Sequence, residues 1–531
     1  MNDTTSTIFK SARRFFSGTM LSRVAGMMRD MSMAYVFGTQ APIASFMLAF
    51  RLSNLLRRLF GEGALQSAFI PEFEALRHQD SNRAFLFFRD IGVLLTVVLT
   101  CIILTSCLGL GALLVYGNFS EDNREVIFLT LLMMPSLLFI CLFGFNASLL
   151  QCEKSYFTPS VAPVAFNIIW IVVVLLLKNM QGKEAMPYLA IGVIIACFCQ
   201  WLMTVPRTIS ILRNQLTIPL WKNIRLYTPD VLKICKPLFL GILGVAASQI
   251  NNAADSVFAR YADLEGPALL WYAIRLQQLP LALFGIAIAG AILPPLSRAI
   301  KALDWEKYHH FLQYALKNTA ALMLPITCYL LVVGDSCINL IYGHGDFTSS
   351  SVTGTTLCLW AYGLGLFPTA LVLILAPASY AQGNYRLPAY ASLITMILNC
   401  VLNTWFIVGF GLGAVSIALA TSISAWVNLF FLGISLSKKS GQFMTAELNK
   451  SIIKISLATV LATFGVIFVR GYLGDLTLLL LIQEQVPHFT TSIPLQLFAC
   501  LWQTGLFAVL FGACAYRLNL FPRKVEIKST I

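Results

Sequence analysis

The chain has 531 residues, of which 58% are hydrophobic and only 11% are charged, and its formal net charge is +13. Soluble domains carry about 25% charged residues, so the composition excludes an ordinary soluble protein and indicates one that resides in a bilayer. Its mean hydropathy of +0.76 agrees with this assignment.

Windows of about 20 mostly apolar residues, the length that crosses a bilayer, follow one another along the whole chain. We place them near 12–37, 42–70, 86–116, 126–151, 159–178, 187–212, 233–261, 267–297, 308–343, 351–381, 387–408, 411–436, 450–472 and 494–517. They are too long and too uniformly apolar to be the alternating strands of a membrane barrel. The sequence therefore predicts an all-α polytopic membrane protein with about fourteen transmembrane helices.

Lys and Arg concentrate in every second connection between these windows. The basic connections include 77–89, 207–236, 298–307 and 438–454, whereas those near 120–122 and 344–346 are not enriched in them. The positive-inside rule then places the basic connections and both termini in the cytoplasm. Topology thus explains the charge of +13, and no nucleic-acid partner is expected.

The longest hydrophilic connection, at 213–232, separates six windows from the remaining eight. Such a break is typical of the link between two helical bundles of a transporter. We predict an N-terminal lobe over 1–215, a C-terminal lobe over 216–440, and a segment over 441–531 that holds two plainer helices and a cytoplasmic tail.

The first window contains Arg23, Arg29 and Asp30. An arginine near the bilayer centre costs about 2.5–3.5 kcal/mol on insertion scales, so such residues face a bundle interior or a water-filled cavity rather than lipid. Arg23 has apolar or small residues on both sides, which favours a cavity role. Asp30 is a local counter-ion for Arg29, or the two are interfacial charges whose heads reach toward water.

The second window is the densest in arginine, with Arg51, Arg57 and Arg58 close to Glu62. Arg51 and Arg58 share a helical face, and Arg58 and Glu62 are spaced to pair. Gly61 and Gly63 flank the carboxylate and predict a bend there. Glu62 then acts as a gate that substrate displaces, or as a structural salt bridge at the helix end.

Other polar residues occur in later windows. Asp255 lies in the seventh window, and Asn399 and Asn403 lie one turn apart in the eleventh. Together they predict an oxygen-rich sodium site, with hydrogen bonding between helices as the alternative. Arg275, in the eighth window, is expected to face the interior.

The sequence has no catalytic constellation or nucleotide-binding motif. We therefore predict a protein that is not an enzyme and has no cofactor, with transport driven by a sodium gradient, the membrane potential or the substrate gradient. The 13 cysteines show no zinc-binding spacing and are expected to be small buried hydrophobes, with a structural disulfide as the alternative.

The most distinctive stretches of the chain lie in its first seventy residues, with SGTMLSRVAGMMRD at 17–30 and AFRLSNLLRRLFGEGA at 49–64. Further distinctive stretches lie at 68–71, 241–245, 272–280, 285–297 and 375–377. Together these stretches resemble the MurJ (MviN) family of bacterial lipid II flippases, and the first seventy residues are the most specific part of the match.

The resemblance implies the MOP exporter fold, with two six-helix lobes around a central cavity and two C-terminal helices forming a lipid-facing groove. It implies alternating access that moves lipid II, undecaprenyl-pyrophosphate-linked disaccharide-pentapeptide, from the inner to the outer leaflet of the cytoplasmic membrane. Membrane lipids and the proteins of peptidoglycan synthesis and division are the further partners. The family's cavity arginines correspond to Arg23, Arg29, Arg57 and Arg275, and Asp30 and Glu62 also match.

This chain departs from the family pattern at several acidic positions. Ala44 and Ser45, Ile274, Gln278 and Asn403 stand where relatives carry acidic residues. The departures leave the cavity more positive, which suits an anionic lipid and weakens the case for sodium coupling. The alternatives are a flippase for another polyprenyl-pyrophosphate-linked glycan, a cation-coupled drug exporter of the same superfamily, and a non-transporting scaffold for peptidoglycan synthesis.

Overall fold

The computed structural model describes residues 5–55, 57, 64–217, 219, 222–441, 443–480 and 492–520. These residues form helices, most of which are joined by short connections, and no strand occurs among them. The predicted all-α class is confirmed. The chain divides into two compact units, Met1–Arg260 and Tyr261–Ile531.

Among the described residues, the first unit contains ten helices, the last of which ends two residues beyond it. They are α1 (Thr5–Phe37), α2 (Ala41–Ser53), α3 (Ala64–Gln79), α4 (Ser81–Tyr116), α5 (Glu121–Met133), α6 (Ser136–Cys152), α7 (Phe157–Leu176), α8 (Gly182–Leu202), α9 (Val205–Gln215) and α10 (Pro229–Ala262).

The helices of the second unit continue this numbering. They are α11 (Gly266–Pro280), α12 (Ile286–Lys301), α13 (Trp305–Tyr342), α14 (Ser349–Gly363), α15 (Leu366–Ala381), α16 (Arg386–Thr404), α17 (Val415–Ser440), α18 (Ala446–Leu480) and α19 (Ile493–Arg517). Single turns of π-helix follow α11 and α16, at Leu281–Gly285 and Trp405–Gly409.

Among the described residues, 9 helical segments are long and apolar enough to cross a membrane. The count becomes 10 if α5 and α6, bent by 44° at their junction, are one span. Pro135 lies at that junction and cannot donate a backbone hydrogen bond, which accounts for a break inside the predicted window 126–151. The predicted total of about fourteen spans stays a prediction.

The prediction of one continuous helix over 42–70 is wrong. Helix α2 ends at Ser53, and α3 begins at Ala64. The Asn54 amide side chain donates to the Phe50 carbonyl at 2.8 Å, so a polar side chain helps to end the helix. The predicted bend at Gly61 and Gly63 lies outside the described residues.

Helices α1 and α7 pack closely in the first unit because small residues line their contact. A Cβ added at Gly18 would lie 2.1 Å from the Ser160 hydroxyl oxygen, a distance that no side chain accommodates. Glycine at this point therefore allows the two backbones to approach, as small residues do between membrane helices. This contact fixes the helix that carries Arg23 and Arg29.

Candidate functional site

Arg29 is held firmly on α1 by neighbours within the first unit. Its Nε and Nη2 atoms donate to Asp30 Oδ1 at 3.1 and 2.8 Å, and its Nη1 donates to Asn167 Oδ1 at 3.1 Å. Its guanidinium carbon also lies 4.9 Å from the centre of the Trp170 ring, which adds a cation–π contact. Arg29 and Asp30 are only 8% and 3% exposed, so the interpretation as interfacial charges that reach toward water is wrong.

Adjacent residues on a helix point in directions about 100° apart, which argues against direct pairing of their side chains. Arg29 overcomes this separation because its long side chain curls back, so that two of its nitrogens meet one Asp30 oxygen. The pair satisfies the charge of both groups inside the helical packing. Asp30 is thus the local counter-ion of Arg29, as the sequence predicted.

Arg23 has a different environment, although it lies on the same helix. Its side chain is exposed, and within the described part of the chain it makes no hydrogen bond or ion pair. Arg23 and Arg29 are six residues apart on α1 and therefore lie on different faces. Arg23 can offer all five of its N–H donors to a ligand.

Arg51 lies on α2 and contacts α10. Its Nη1 donates to the Ser256 hydroxyl oxygen at 2.6 Å and approaches the Asn252 carbonyl oxygen at 3.4 Å. The neighbouring Asp255 is buried, at 6% exposure. Arg51 thus comes together with the polar face of α10 that carries Asp255.

Two further arginines of the predicted site are partly buried. Arg57 lies just after the turn that follows α2, where its backbone N–H donates to the Asn54 carbonyl at 3.1 Å. Arg275, on α11 of the second unit, stacks its guanidinium 4.4 Å from the centre of the Trp271 ring. Arg58 and Glu62 lie outside the described residues.

The predicted sodium ligands of the second unit do lie together. Asn403 Nδ2 donates to Asn399 Oδ1 at 2.9 Å, and Asn399 Nδ2 donates to the Thr421 hydroxyl oxygen at 3.3 Å. Both asparagines are buried, at 1% and 0% exposure. Hard oxygen donors of this kind suit a sodium ion, but in this arrangement the amides bond to one another, as the alternative of interhelical hydrogen bonding expects.

The structure also shows a buried pair that sequence reasoning missed, at Arg89 and Asp90 on α4. Arg89 donates to Asp90 Oδ1 at 2.9 and 2.7 Å and to the carbonyls of Lys222 and Asn223 at 2.8 and 2.9 Å. It thereby ties the long connection between α9 and α10 to the first part of α4. The repeated Arg-Asp dipeptide, also present at Arg29, is the signal that could have found it.

An exposed ion pair lies close to the same connection. Arg83, on α4, donates to both oxygens of Asp230 at 2.7 and 2.8 Å. These bonds hold the pKa of the Asp230 carboxyl below its usual value. Bidentate geometry of this kind aligns the start of α10 with α4, although exposed pairs add little stability.

The C-terminal helices of the second unit carry a charged contact that the sequence did not suggest. Arg470, on α18, donates to both oxygens of Asp335 on α13 and to the Val332 carbonyl at 3.0 Å. Farther along, a mainly apolar cavity of about 600 Å³ lies among α13, α15, α17 and α18. Its lining includes Leu316, Leu371, Phe430 and Ile452, with Lys438 as its charged member.

Comparisons with known proteins agree on one family. The family model described as lipid II flippase MurJ matches residues 33–482. A Chlamydia pneumoniae protein named probable lipid II flippase MurJ is 32% identical over 515 residues, which cover 95% of this chain and 91% of that protein. A Vibrio cholerae protein of the same name is 31% identical over 464 residues, which cover 84% and 86%.

Solved structures agree with this result at the level of fold. The structure titled lipid II flippase MurJ, inward closed conformation, has a TM-score of 0.74 at 23% identity and covers 95% of this chain and 99% of its own. An inward-facing multidrug resistance MATE transporter of the MOP superfamily has a TM-score of 0.64 at 14% identity, covering 83% of this chain and 99% of its own.

The long apolar helices, together with the fold shared with these two structures, define a multi-pass membrane protein. Within that class, the chain belongs to the MurJ family of lipid II flippases.

Proposed function

We propose that this protein moves lipid II from the inner to the outer leaflet of the bacterial cytoplasmic membrane by alternating access, and so supplies peptidoglycan synthesis. The observation that carries the proposal is Arg23, an exposed arginine on α1 whose N–H donors are available, in a member of the MurJ family. At membrane depth such a charge is costly unless it faces a water-filled cavity or pairs with an anion.

The headgroup chemistry supports this substrate class. A pyrophosphate presents several anionic oxygens, and arginine binds such groups with two parallel hydrogen bonds. We assign Arg23, Arg57 and Arg275 to the pyrophosphate. Arg29 belongs to the same set by family resemblance, and its bonds to Asp30 and Asn167 make it the residue that orders the site.

The remaining charged residues fit a gating role. We propose that Arg51, Arg58, Glu62 and Asp30 exchange partners as the transporter changes conformation. Arg51 supports this proposal because it already bonds to Ser256, beside the buried Asp255. The apolar cavity that includes Ile452 would accommodate part of a prenyl chain beside the C-terminal helices. Both termini are cytoplasmic in this proposal.

Complementation of a bacterium depleted of its lipid II flippase, with an assay of lipid II exposed on the outer leaflet, tests the proposal. We expect the wild type to rescue growth, and Arg23→Ala, Arg57→Ala and Arg275→Ala each to lower exposure about 10- to 100-fold, because a hydrogen bond to a charged group contributes about 1.5–3 kcal/mol. Arg298→Ala, which removes an exposed arginine from α12, is the matched control and should have no effect.

Each alternative predicts a different result. A well-expressed wild type that never exposes lipid II would point to another polyprenyl-linked glycan. Equal exposure in the wild type and all three variants would leave the flippase in place and remove the arginine site. Rescue of growth without any lipid II exposure by the protein would favour the scaffold for synthesis and division proteins.

For the driving force, we propose the membrane potential, with sodium as a weaker contributor. An interior-negative potential drives anions outward by about 2.3 kcal/mol per charge per 100 mV. The sodium ligands of the second unit, Asn399, Asn403 and Thr421, are all neutral, so a sodium ion would depend on Asp255 for a carboxylate.

Translocation of lipid II in vesicles that contain the protein distinguishes the membrane potential from the sodium gradient as the driving force. We expect a potassium diffusion potential to accelerate translocation and a sodium gradient alone to change it less than twofold, about 0.4 kcal/mol. Asn403→Asp should increase the dependence on sodium, whereas Asn399→Ala should not. A wild type that responds to sodium and ignores the potential would contradict the proposal.

A further inference from the structure

Helix α19 is attached to α13 by a line of polar contacts, here called the α13–α19 seam. The Tyr329 hydroxyl lies 2.9 Å from the Thr504 hydroxyl, and the Ser336 hydroxyl donates to Gln503 Oε1 at 3.1 Å. Farther along the seam, the Gln496 amide donates to Asn339 Oδ1 at 3.2 Å. Side chains on both flanks thus fix the register of α19 against α13.

Two cysteines face each other inside this seam. Cys337 Sγ on α13 lies 3.7 Å from Cys500 Sγ on α19. The Tyr329 hydroxyl is 3.3 Å from Cys337 Sγ and so helps to orient that thiol toward its neighbour. A disulfide bond is about 2.05 Å long, so a small side-chain adjustment, without a change of helix register, joins the two sulfur atoms.

The position of the pair along the helices favours oxidation. Cys337 lies five residues before the end of α13 at Tyr342, and Cys500 lies seven residues after the start of α19 at Ile493. At 1.5 Å per residue, the thiols are about 8 and 10 Å from those helix ends. In the proposed topology both ends face the outer side of the membrane, where disulfides persist.

We propose that Cys337 and Cys500 form a disulfide that fastens α19 to α13. The oxidant is the disulfide of a thiol–disulfide oxidoreductase on the outer side of the membrane. The thiolate of one cysteine attacks that disulfide, forms a mixed disulfide and releases one oxidoreductase thiol. The second cysteine then attacks the mixed disulfide and releases the other thiol, so two electrons and two protons pass to the oxidoreductase.

The bond would act where the helix pair α18 and α19 joins the rest of the second unit. Arg470 and Asp335 already tie α18 to α13, and the disulfide would hold α19 to the same helix. A covalent link between residues 163 positions apart in the chain constrains the unfolded protein strongly. The oxidised chain should therefore resist thermal unfolding better than the reduced one.

Differential alkylation of the full-length protein in membranes tests this inference. Free thiols are blocked with N-ethylmaleimide in denaturant at harvest, so that buried thiols such as Cys141, Cys197 and Cys358 are blocked as well. The protein is then reduced, and newly released thiols receive a polyethylene glycol maleimide mass tag. We expect the wild type, Cys328→Ser and Cys514→Ser to gain two tags each, and Cys337→Ser and Cys500→Ser to gain none. Mass spectrometry should find the peptides of Cys337 and Cys500 joined.

A second readout separates the disulfide from simple packing of two thiols. Reductant should lower the melting temperature of the wild type and of Cys514→Ser, and should not shift that of Cys337→Ser. Complete alkylation of the wild type before reduction would overturn the inference, as would a disulfide to a different cysteine. Because the inference rests on the proposed topology, lipid II exposure is scored in the same cells, so that an absent disulfide beside intact translocation rejects this inference alone.

Discussion

Arg29→Ala is expected to lower the amount of folded protein and lipid II translocation together, whereas Arg23→Ala should lower translocation alone. The Asp30 carboxylate is 3% exposed and receives two bonds from Arg29. Removal of the guanidinium takes both of these bonds from a buried charge, at a cost of about 3–5 kcal/mol. Arg23 is exposed, so its removal leaves the packing of α1 intact.

Measurement of thermal stability and monodisperse yield in detergent, beside lipid II exposure in cells, separates these effects. The double variant Arg29→Met with Asp30→Asn removes both charges and should recover most of the lost stability without recovering translocation. A stable Arg29→Ala protein that fails to translocate would show instead that Arg29 contacts substrate directly. A stable and active Arg29→Ala protein would remove the residue from the site altogether.

The membrane helices were predictable because the thickness of the bilayer requires apolar stretches of a certain length, and these stretches are visible in the sequence. Helices α4, α13 and α19 begin and end within a few residues of the windows 86–116, 308–343 and 494–517. Local chemistry explains the differences. The mean hydropathy of the window 42–70 contains no information on hydrogen bonds, so it cannot predict that the Asn54 side chain bonds to the Phe50 carbonyl and ends α2.

The candidate site was predictable only as a set of residue types. An arginine inside an apolar window is conspicuous in the sequence, and Arg23 and Arg29 could therefore be predicted as site residues. The partners of buried arginines could not be predicted, because they are distant in the chain. Asn167 lies 138 residues from Arg29, and the Lys222 carbonyl lies 133 residues from Arg89. Arg470 and Asp335 were missed for the same reason, since no sequence period links residues 135 positions apart.

The difference between Arg23 and Arg29 also bears on how the site works. A substrate-binding arginine exchanges hydrogen bonds to water for hydrogen bonds to phosphate. The binding free energy is most favourable when its N–H donors are not already bonded to other protein groups. Arg29 would have to break bonds to Asp30 and Asn167 before it could bind. In the proposed mechanism, Arg23 therefore presents its charge to the headgroup, whereas Arg29 fixes the helix that carries Arg23.

Arg89→Ala is expected to destabilise the first unit about as strongly as Arg29→Ala, although Arg89 is not among the residues assigned to the substrate. Arg89 and Asp90 are 7% and 6% exposed. The variant leaves the Asp90 carboxylate without its two bonds from Arg89 and removes the donors that hold the carbonyls of Lys222 and Asn223. A loss of about 3–5 kcal/mol is expected from the buried charge.

Arg83→Ala is the matched control, because Arg83 lies on the same helix and binds Asp230 through an exposed ion pair. Exposed pairs contribute about 0–1 kcal/mol, so this variant should unfold at nearly the wild-type temperature. Since Arg83 lowers the pKa of Asp230, the stability from that pair is present above the ordinary carboxyl pKa and is lost as the pH falls through the lowered value.

Limited proteolysis of the connection between α9 and α10, with thermal unfolding of the same samples, measures the outcome. Arg89→Ala should be cleaved near 222–223 faster than the wild type and should melt at a lower temperature, whereas Arg83→Ala should match the wild type in both. Arg89→Lys keeps the positive charge beside Asp90 but cannot donate to Asp90 and both carbonyls in the same planar geometry, so it should recover stability more than resistance to cleavage. Equal cleavage of all four proteins would show that the connection is held by contacts other than those of Arg89.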